Sequence, residues 1–226
     1  AFFFFFKNLT RYFYKKSALN YIRNWEKFFH NKKNVFLFLG NLVFLITTLS
    51  IFSSFLVFNE NRPYVVKLND PLFYFFNAVD LNVIAFPVIY VALIAFLTYT
   101  SFRPRVFCFA LSAYTLMVWI RMFAMYITPL DVSAGAIDLR DPIVFMIGTG
   151  QAVQKDLFFS GHTATLFLLY VIVYNIKRIS GSDESLRADN FFKYFLLFCL
   201  IIVAASVVLQ KAHYTIDVFA ALFFAY

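Results

Sequence analysis

The chain is short of charge. Of its 226 residues only 14% are Asp, Glu, Lys or Arg, against about 25% in soluble domains. That deficit excludes an ordinary water-soluble domain and indicates a membrane-embedded chain. Acidic residues are scarcer than basic ones, 12 against 20. The resulting formal charge of +8 would suggest nucleic acid in a soluble protein. Here the cations cluster beside apolar runs, so membrane orientation accounts for them and no nucleic-acid partner is expected. Cysteine is almost missing. Cys108 and Cys199 lie inside apolar runs without metal-ligand spacing, which leaves no case for a disulfide framework and makes them small core hydrophobes. No Ser/Gly/Pro-rich stretch divides the chain, so two domains on a linker are excluded. No internal repeat is evident.

What the chain has is apolar side chain: 62% hydrophobic residues, with 34 Phe. About 20 apolar residues cross the hydrocarbon core of a bilayer. Six runs approach or meet that need: Asn34–Phe58, Val83–Phe102, Val106–Ile127, Phe159–Ile176, Phe191–Leu209 and Tyr214–Tyr226. They predict an all-α polytopic membrane protein with six transmembrane helices over residues 34–226. Pro87 is placed to kink the second helix.

Residues 1–33 form a separate basic segment. Lys7, Arg11, Lys15, Lys16, Arg23, Lys27, Lys32 and Lys33 stand against the single Glu26. Ala18, Tyr21, Ile22, Trp25, Phe28 and Phe29 recur at helical spacing, which predicts an amphipathic helix lying on an anionic membrane surface. A face packed on neighbouring loops fits the same periodicity. The leading Phe run is too short to span and carries no functional assignment. With the N-terminus in the cytoplasm, most Lys and Arg near span ends fall on the inner side. Two polar stretches, Ser160-Gly161-His162 and His213-Tyr214-Thr215, then share the outer face, periplasmic, extracellular or lumenal. The outer loop from Thr128 to Phe158 is long enough to be functional. Its Ile143–Gly148 stretch is too short to cross and fits a re-entrant dip or a lid.

His213 and Asp217 are four apart, one turn on a helix, and a carboxylate beside an imidazole fixes its tautomer and orientation. Most such pairs are local helix contacts. Ionisable residues at spans, however, are usually functional. His162 follows Ser160-Gly161, where Ser160 and the amides of a helix start can hold a phosphoryl oxygen. A plain helix cap is the other reading of Ser160. Arg121 sits in an apolar run about two turns from Thr128. It is suited to gripping a phosphate or to forming an ion pair with Asp156. Two histidines, a carboxylate and an arginine at one face make a phosphoryl-transfer set. The acidic residues show no clustered metal-ligand spacing, so neither a metal nor another cofactor is expected.

Asp156-Leu-Phe-Phe-Ser160-Gly161-His162-Thr163, His213-Tyr214-Thr215-Ile216-Asp217-Val218 and the pair Arg121/Thr128 resemble motifs of the sphingomyelin synthase branch of the type 2 phosphatidic acid phosphatase superfamily. The resemblance implies His213 as the nucleophile, Asp217 as its orienting carboxylate and His162 as acid and base. It implies phosphate or substrate binding by Arg121, Ser160, Gly161, Asp156, Lys155 and Tyr214. Gln154-Lys155 stands where the branch has Cys-Gly, which opens the identity of the head group. Phe96 replaces the lysine of the phosphatase branch, and Ser206-Val207 lacks its arginine. The expected function is transfer of a phospho-head group from a membrane phospholipid to a lipid alcohol such as ceramide. Hydrolysis by the same residues, as in a lipid phosphate phosphatase or a phospholipase-C-like enzyme, is the rival. A non-enzymatic transporter or scaffold would require all three catalytic candidates to be incidental. The sequence carries no signal for oligomeric state.

Overall fold

A computed structural model describes residues 20–63, 65–142, 153–181 and 187–226. The leading Phe run, the basic segment through residue 19 and Ile143–Gly148 lie outside the described residues. The described residues are helical apart from loops and one isolated parallel bridge between Val66 and Leu130.

Residues 20–29 form α1. Its aromatic stripe packs on protein. The Trp25 indole N–H donates to the Ser101 carbonyl at 2.8 Å, and Asn24 donates to the Phe102 carbonyl at 3.1 Å. Those carbonyls belong to a helix end, where backbone acceptors lack partners, so α1 supplies what its neighbour needs. Trp25 also meets Phe28, Phe29, Phe38 and Phe107, mostly edge to face. Ile22 and Phe29 remain exposed.

Among the described residues four helices are long and apolar enough to cross a membrane: α2 (Lys32–Glu60), α3 (Asn82–Ser101), α4 (Pro104–Ile127) and the body of α7 (Arg187–Leu209). Asn31 caps α2 by accepting from the Lys33 N–H. Almost none of the apolar window of α2 is buried. It packs along α4, with two polar contacts: the Trp119 indole N–H donates to the Thr48 hydroxyl at 3.0 Å and the Asn41 amide donates to the Cys108 carbonyl at 3.3 Å. Helix α3 runs on through Pro87. Pro104 opens α4 at a position where a missing N–H costs nothing. Cys108 and Cys199 are free and buried, as expected of core hydrophobes.

The two helices that carry the polar motifs are shorter: α5 (Gly161–Tyr174) and α8 (Thr215–Phe224). Fourteen residues rise about 21 Å, short of a 30 Å core. After α5 the chain turns at Asn175 into α6 (Ile176–Ser180). The apolar run predicted from Phe159 therefore begins as helix only at Gly161, because Ser160 caps it, and Phe159 is a fully buried loop residue stacked on Phe224. Helix α5 packs on α7, α8, α4 and α3.

Candidate active site

Helix α7 ends by turning back on itself. Lys211 takes a positive φ of 54°, and the N–H groups of Ala212 and His213 both return to the Val207 carbonyl. A left-handed residue usually closes such a turn as glycine. Here the Lys211 ammonium donates to the Phe73 carbonyl at 2.9 Å and lies over the Phe73 and Phe76 rings, which holds the turn. His213 thus leaves α7 in a fixed direction and is 1% exposed.

Asp217 is the third residue of α8. Its Oδ2 accepts from the Tyr214 N–H at 3.2 Å and lies 3.3 Å from Nδ1 of His213. One carboxylate so caps the helix, where the dipole favours a negative charge, and orients the imidazole. His213 stands on the loop before α8. The spacing of four therefore works through helix capping and not, as expected from sequence, through a shared helix face. With Nδ1 on Asp217, Nε2 is the nitrogen left for chemistry.

The other motif is built at the start of α5. Ser160 is fully buried and caps the helix, accepting from the Thr163 N–H at 3.4 Å and from the Thr163 hydroxyl at 3.1 Å. Its own N–H donates to the Asp217 carbonyl at 3.2 Å, so the two motifs are bonded to each other. Gly161 lies against Arg121: a Cβ there would fall 2.5 Å from the guanidinium carbon. Arg121 is 5% exposed. Its Nε donates to the Phe159 carbonyl at 3.0 Å, and Nη2 lies 2.7 Å from Oδ1 of Asp156. The guanidinium also sits over the Phe52 ring. Both contacts tie Arg121 to the loop of residues 156–161.

Nε2 of His162 lies 3.2 Å from Oδ2 of Asp141, whose other oxygen accepts from the Tyr90 hydroxyl. The ring meets the edge of Phe86, and Nδ1 is buried without a hydrogen-bond partner. Asp141 carries no motif. Its only sequence signal is the Asp138–Asp141 stretch within a long loop. The two carboxylate-backed histidines line one cavity of about 430 Å³, together with Asp138, Arg140, Gln154 and Asp156. Gln154 donates to Asp138 at 2.7 Å.

Residues 155–226 match the family model described as PAP2 superfamily C-terminal. That third of the chain contains both histidine motifs and Asp217. The match supports lipid chemistry of the phosphatase and phosphotransferase type without singling out the sphingomyelin synthase branch. Together with the four long apolar helices it supports an integral membrane protein. No curated protein matches the chain.

Not every candidate faces the cavity. Arg121 and Ser160 are not among its lining residues and are spent on loop contacts. Lys155 is bound to the end of α2: its N–H donates to Glu60, its carbonyl accepts from Asn59, and its ammonium donates to the Arg62 carbonyl. The Tyr214 hydroxyl donates to the Asp131 carbonyl and accepts from the Leu68 N–H, with its ring stacked on Phe73. Among the described residues no three His, Cys, Asp or Glu side chains converge as a metal-ligand cluster.

Proposed function

We propose that the protein is a membrane lipid head-group phosphotransferase of the sphingomyelin synthase type. The observation that supports this best is the pair of histidines, each backed by its own aspartate, at one cavity. A donor phospholipid places its head-group phosphate between them. Nε2 of His213 attacks phosphorus, and the bond to the diacylglycerol oxygen breaks as His162 gives that oxygen a proton. The phospho-head group then rests on His213. The hydroxyl of a lipid alcohol such as ceramide attacks phosphorus, loses its proton to His162, and frees His213.

Asp217 holds the nucleophile's ring. Asp141 holds His162 through Nε2, so Nδ1 is the atom that exchanges the proton. The amides at the start of α5 face the developing oxyanion. Arg121, balanced by Asp156, keeps that helix start in place beside the phosphate, while Lys155 and Tyr214 brace the surrounding loops. The reading uses no cofactor. In it, residues 34–226 form one six-span membrane domain, with α5–α6 and α8 as the two shorter crossings. Residues 1–33 lie on an anionic cytoplasmic surface, and the cavity opens on the outer face.

The superfamily match favours a second reading, hydrolysis, in which water takes the place of the lipid alcohol. Purified protein given head-group-labelled phospholipid with and without ceramide separates the two. A labelled sphingophospholipid formed only with ceramide supports transfer. A water-soluble phospho-head group formed at the same rate with or without ceramide refutes it.

A further inference from the structure

A second cavity, of about 520 Å³, lies among α1, the corner between α3 and α4, α6 and the start of α7. It is far from the first. Arg103 and Arg121 are separated by 18 positions along α4, about 27 Å of helix axis. None of its lining residues takes part in the histidine site.

Among the described residues its walls carry Lys27, Arg103 and Arg105, with Asp189 as the acid. Nη2 of Arg103 pairs with Asp189 at 2.9 Å, and its guanidinium lies over the Tyr99 ring. Nη1 of Arg103, by contrast, is buried and makes no hydrogen bond. A buried cationic donor without an acceptor is costly, and burial also depresses the Arg103 pKa. The cavity contains the start of α4, which no side chain caps; Pro104 has no N–H, and the amides of Arg105 and Val106 have no partner within the helix. The guanidinium of Arg105 reaches toward Gly181 at the end of α6, beside the last-turn cations Lys177 and Arg178. Phe28, Phe102 and Ile176 supply an apolar wall.

We propose that this cavity binds a phosphate oxyanion, with Arg103, Arg105 and Lys27 as its ligands and the apolar wall suited to a lipid head group. Forked guanidinium donors match phosphate oxygens two at a time. An uncapped helix start adds amides and positive potential. The ligand satisfies the orphan Nη1 and ties α1 to the bundle. The site is independent of the reaction assigned to the histidines.

Thermal unfolding of the full chain in neutral detergent, at constant ionic strength, tests this. The probes are dioctanoyl phosphatidylglycerol, dioctanoyl phosphatidylcholine and inorganic phosphate. Using His213→Ala excludes turnover. Phosphatidylglycerol is expected to raise Tm with a saturable dependence, and Lys27→Gln/Arg105→Gln to weaken the apparent Kd by about tenfold or more, since each lost contact is charge-assisted. Both replaced side chains are exposed, so the variant keeps its fold, and Arg105→Glu is a second route to the same loss. Saturation by inorganic phosphate identifies the free ion as sufficient. Saturation by the anionic lipid alone identifies a head group. The proposal is overturned if neither anion saturates, if phosphatidylcholine matches phosphatidylglycerol, or if the cation variants keep the original Kd.

Discussion

Replacing Gly161 by alanine should destabilise the protein, although helix propensity argues the reverse. Gly161 is the first residue of α5, and alanine is the better helix former by up to about 1 kcal/mol. The added Cβ would meet the Arg121 guanidinium at 2.5 Å from Cζ, 2.6 Å from Nη1 and 2.9 Å from Nη2. A long side chain end can normally move away at little cost. This one is held by the Phe159 carbonyl and by Asp156, and it is almost fully buried. Moving it sacrifices a charge-assisted contact, worth about 1.5–3 kcal/mol. Leaving it in place overpacks the site by a similar amount, about 1–3 kcal/mol. Net of propensity, Gly161→Ala should cost about 0.5–2 kcal/mol, which lowers Tm by roughly 1–8 °C in a chain of this size. Turnover should fall with it, because His162 is the next residue. The decisive measurement is a double-mutant cycle with Arg121→Ala, followed by thermal unfolding in detergent. With the guanidinium gone, Gly161→Ala should be neutral or slightly stabilising, a coupling of at least about 1 kcal/mol. Additive effects of the two substitutions would refute the steric argument.

Four further outcomes are expected. His213→Ala should abolish turnover in a protein that still inserts and folds, and Asp217→Asn should leave a residue of activity, since it disturbs orientation and not the attacking atom; near-normal rates in His213→Ala would remove the nucleophile. Asp141→Asn should lower kcat by roughly tenfold or more at unchanged Tm, less than the ~100-fold or larger loss from His162→Ala; an unaffected kcat would detach Asp141 from the chemistry. Arg121→Lys should fall in both Tm and activity, because an ammonium cannot reach the Phe159 carbonyl and Asp156 as a fork; a variant with wild-type Tm and activity would show that a point charge suffices. Activity should survive thorough chelation, since no metal-ligand cluster is found among the described residues; loss in chelator with recovery in magnesium or manganese would contradict this.

Local features were legible without coordinates. Long apolar runs fall on the helices they predict: Asn34–Phe58 within α2 and Val106–Ile127 within α4. A 3.6-residue repeat or an uninterrupted apolar stretch reports an element directly. The serine cap of α5 and the pairing of His213 with Asp217 were also readable, because each joins residues at most four positions apart.

The rest depended on how loops fold onto helix ends. Asp141 reaches His162 across 21 positions, Ser160 meets Asp217 across 57, and Glu60 takes the Lys155 N–H across 95. No periodicity encodes those distances. Tyr214 and Lys155 sit inside or beside the motifs, yet their side-chain polar atoms turn to backbone groups elsewhere. Buried loops must satisfy their own carbonyls and amides first. Arg121 shows the same rule: an arginine in an apolar run had to find an anion, and only tertiary packing decided that Asp156 and the Phe159 carbonyl would supply the contacts. The sequence by itself determined which residue types were available for phosphoryl chemistry and that they stood near helix ends. The tertiary structure decided which of them face the cavity, because that choice follows from loop hydrogen bonds made over long separations.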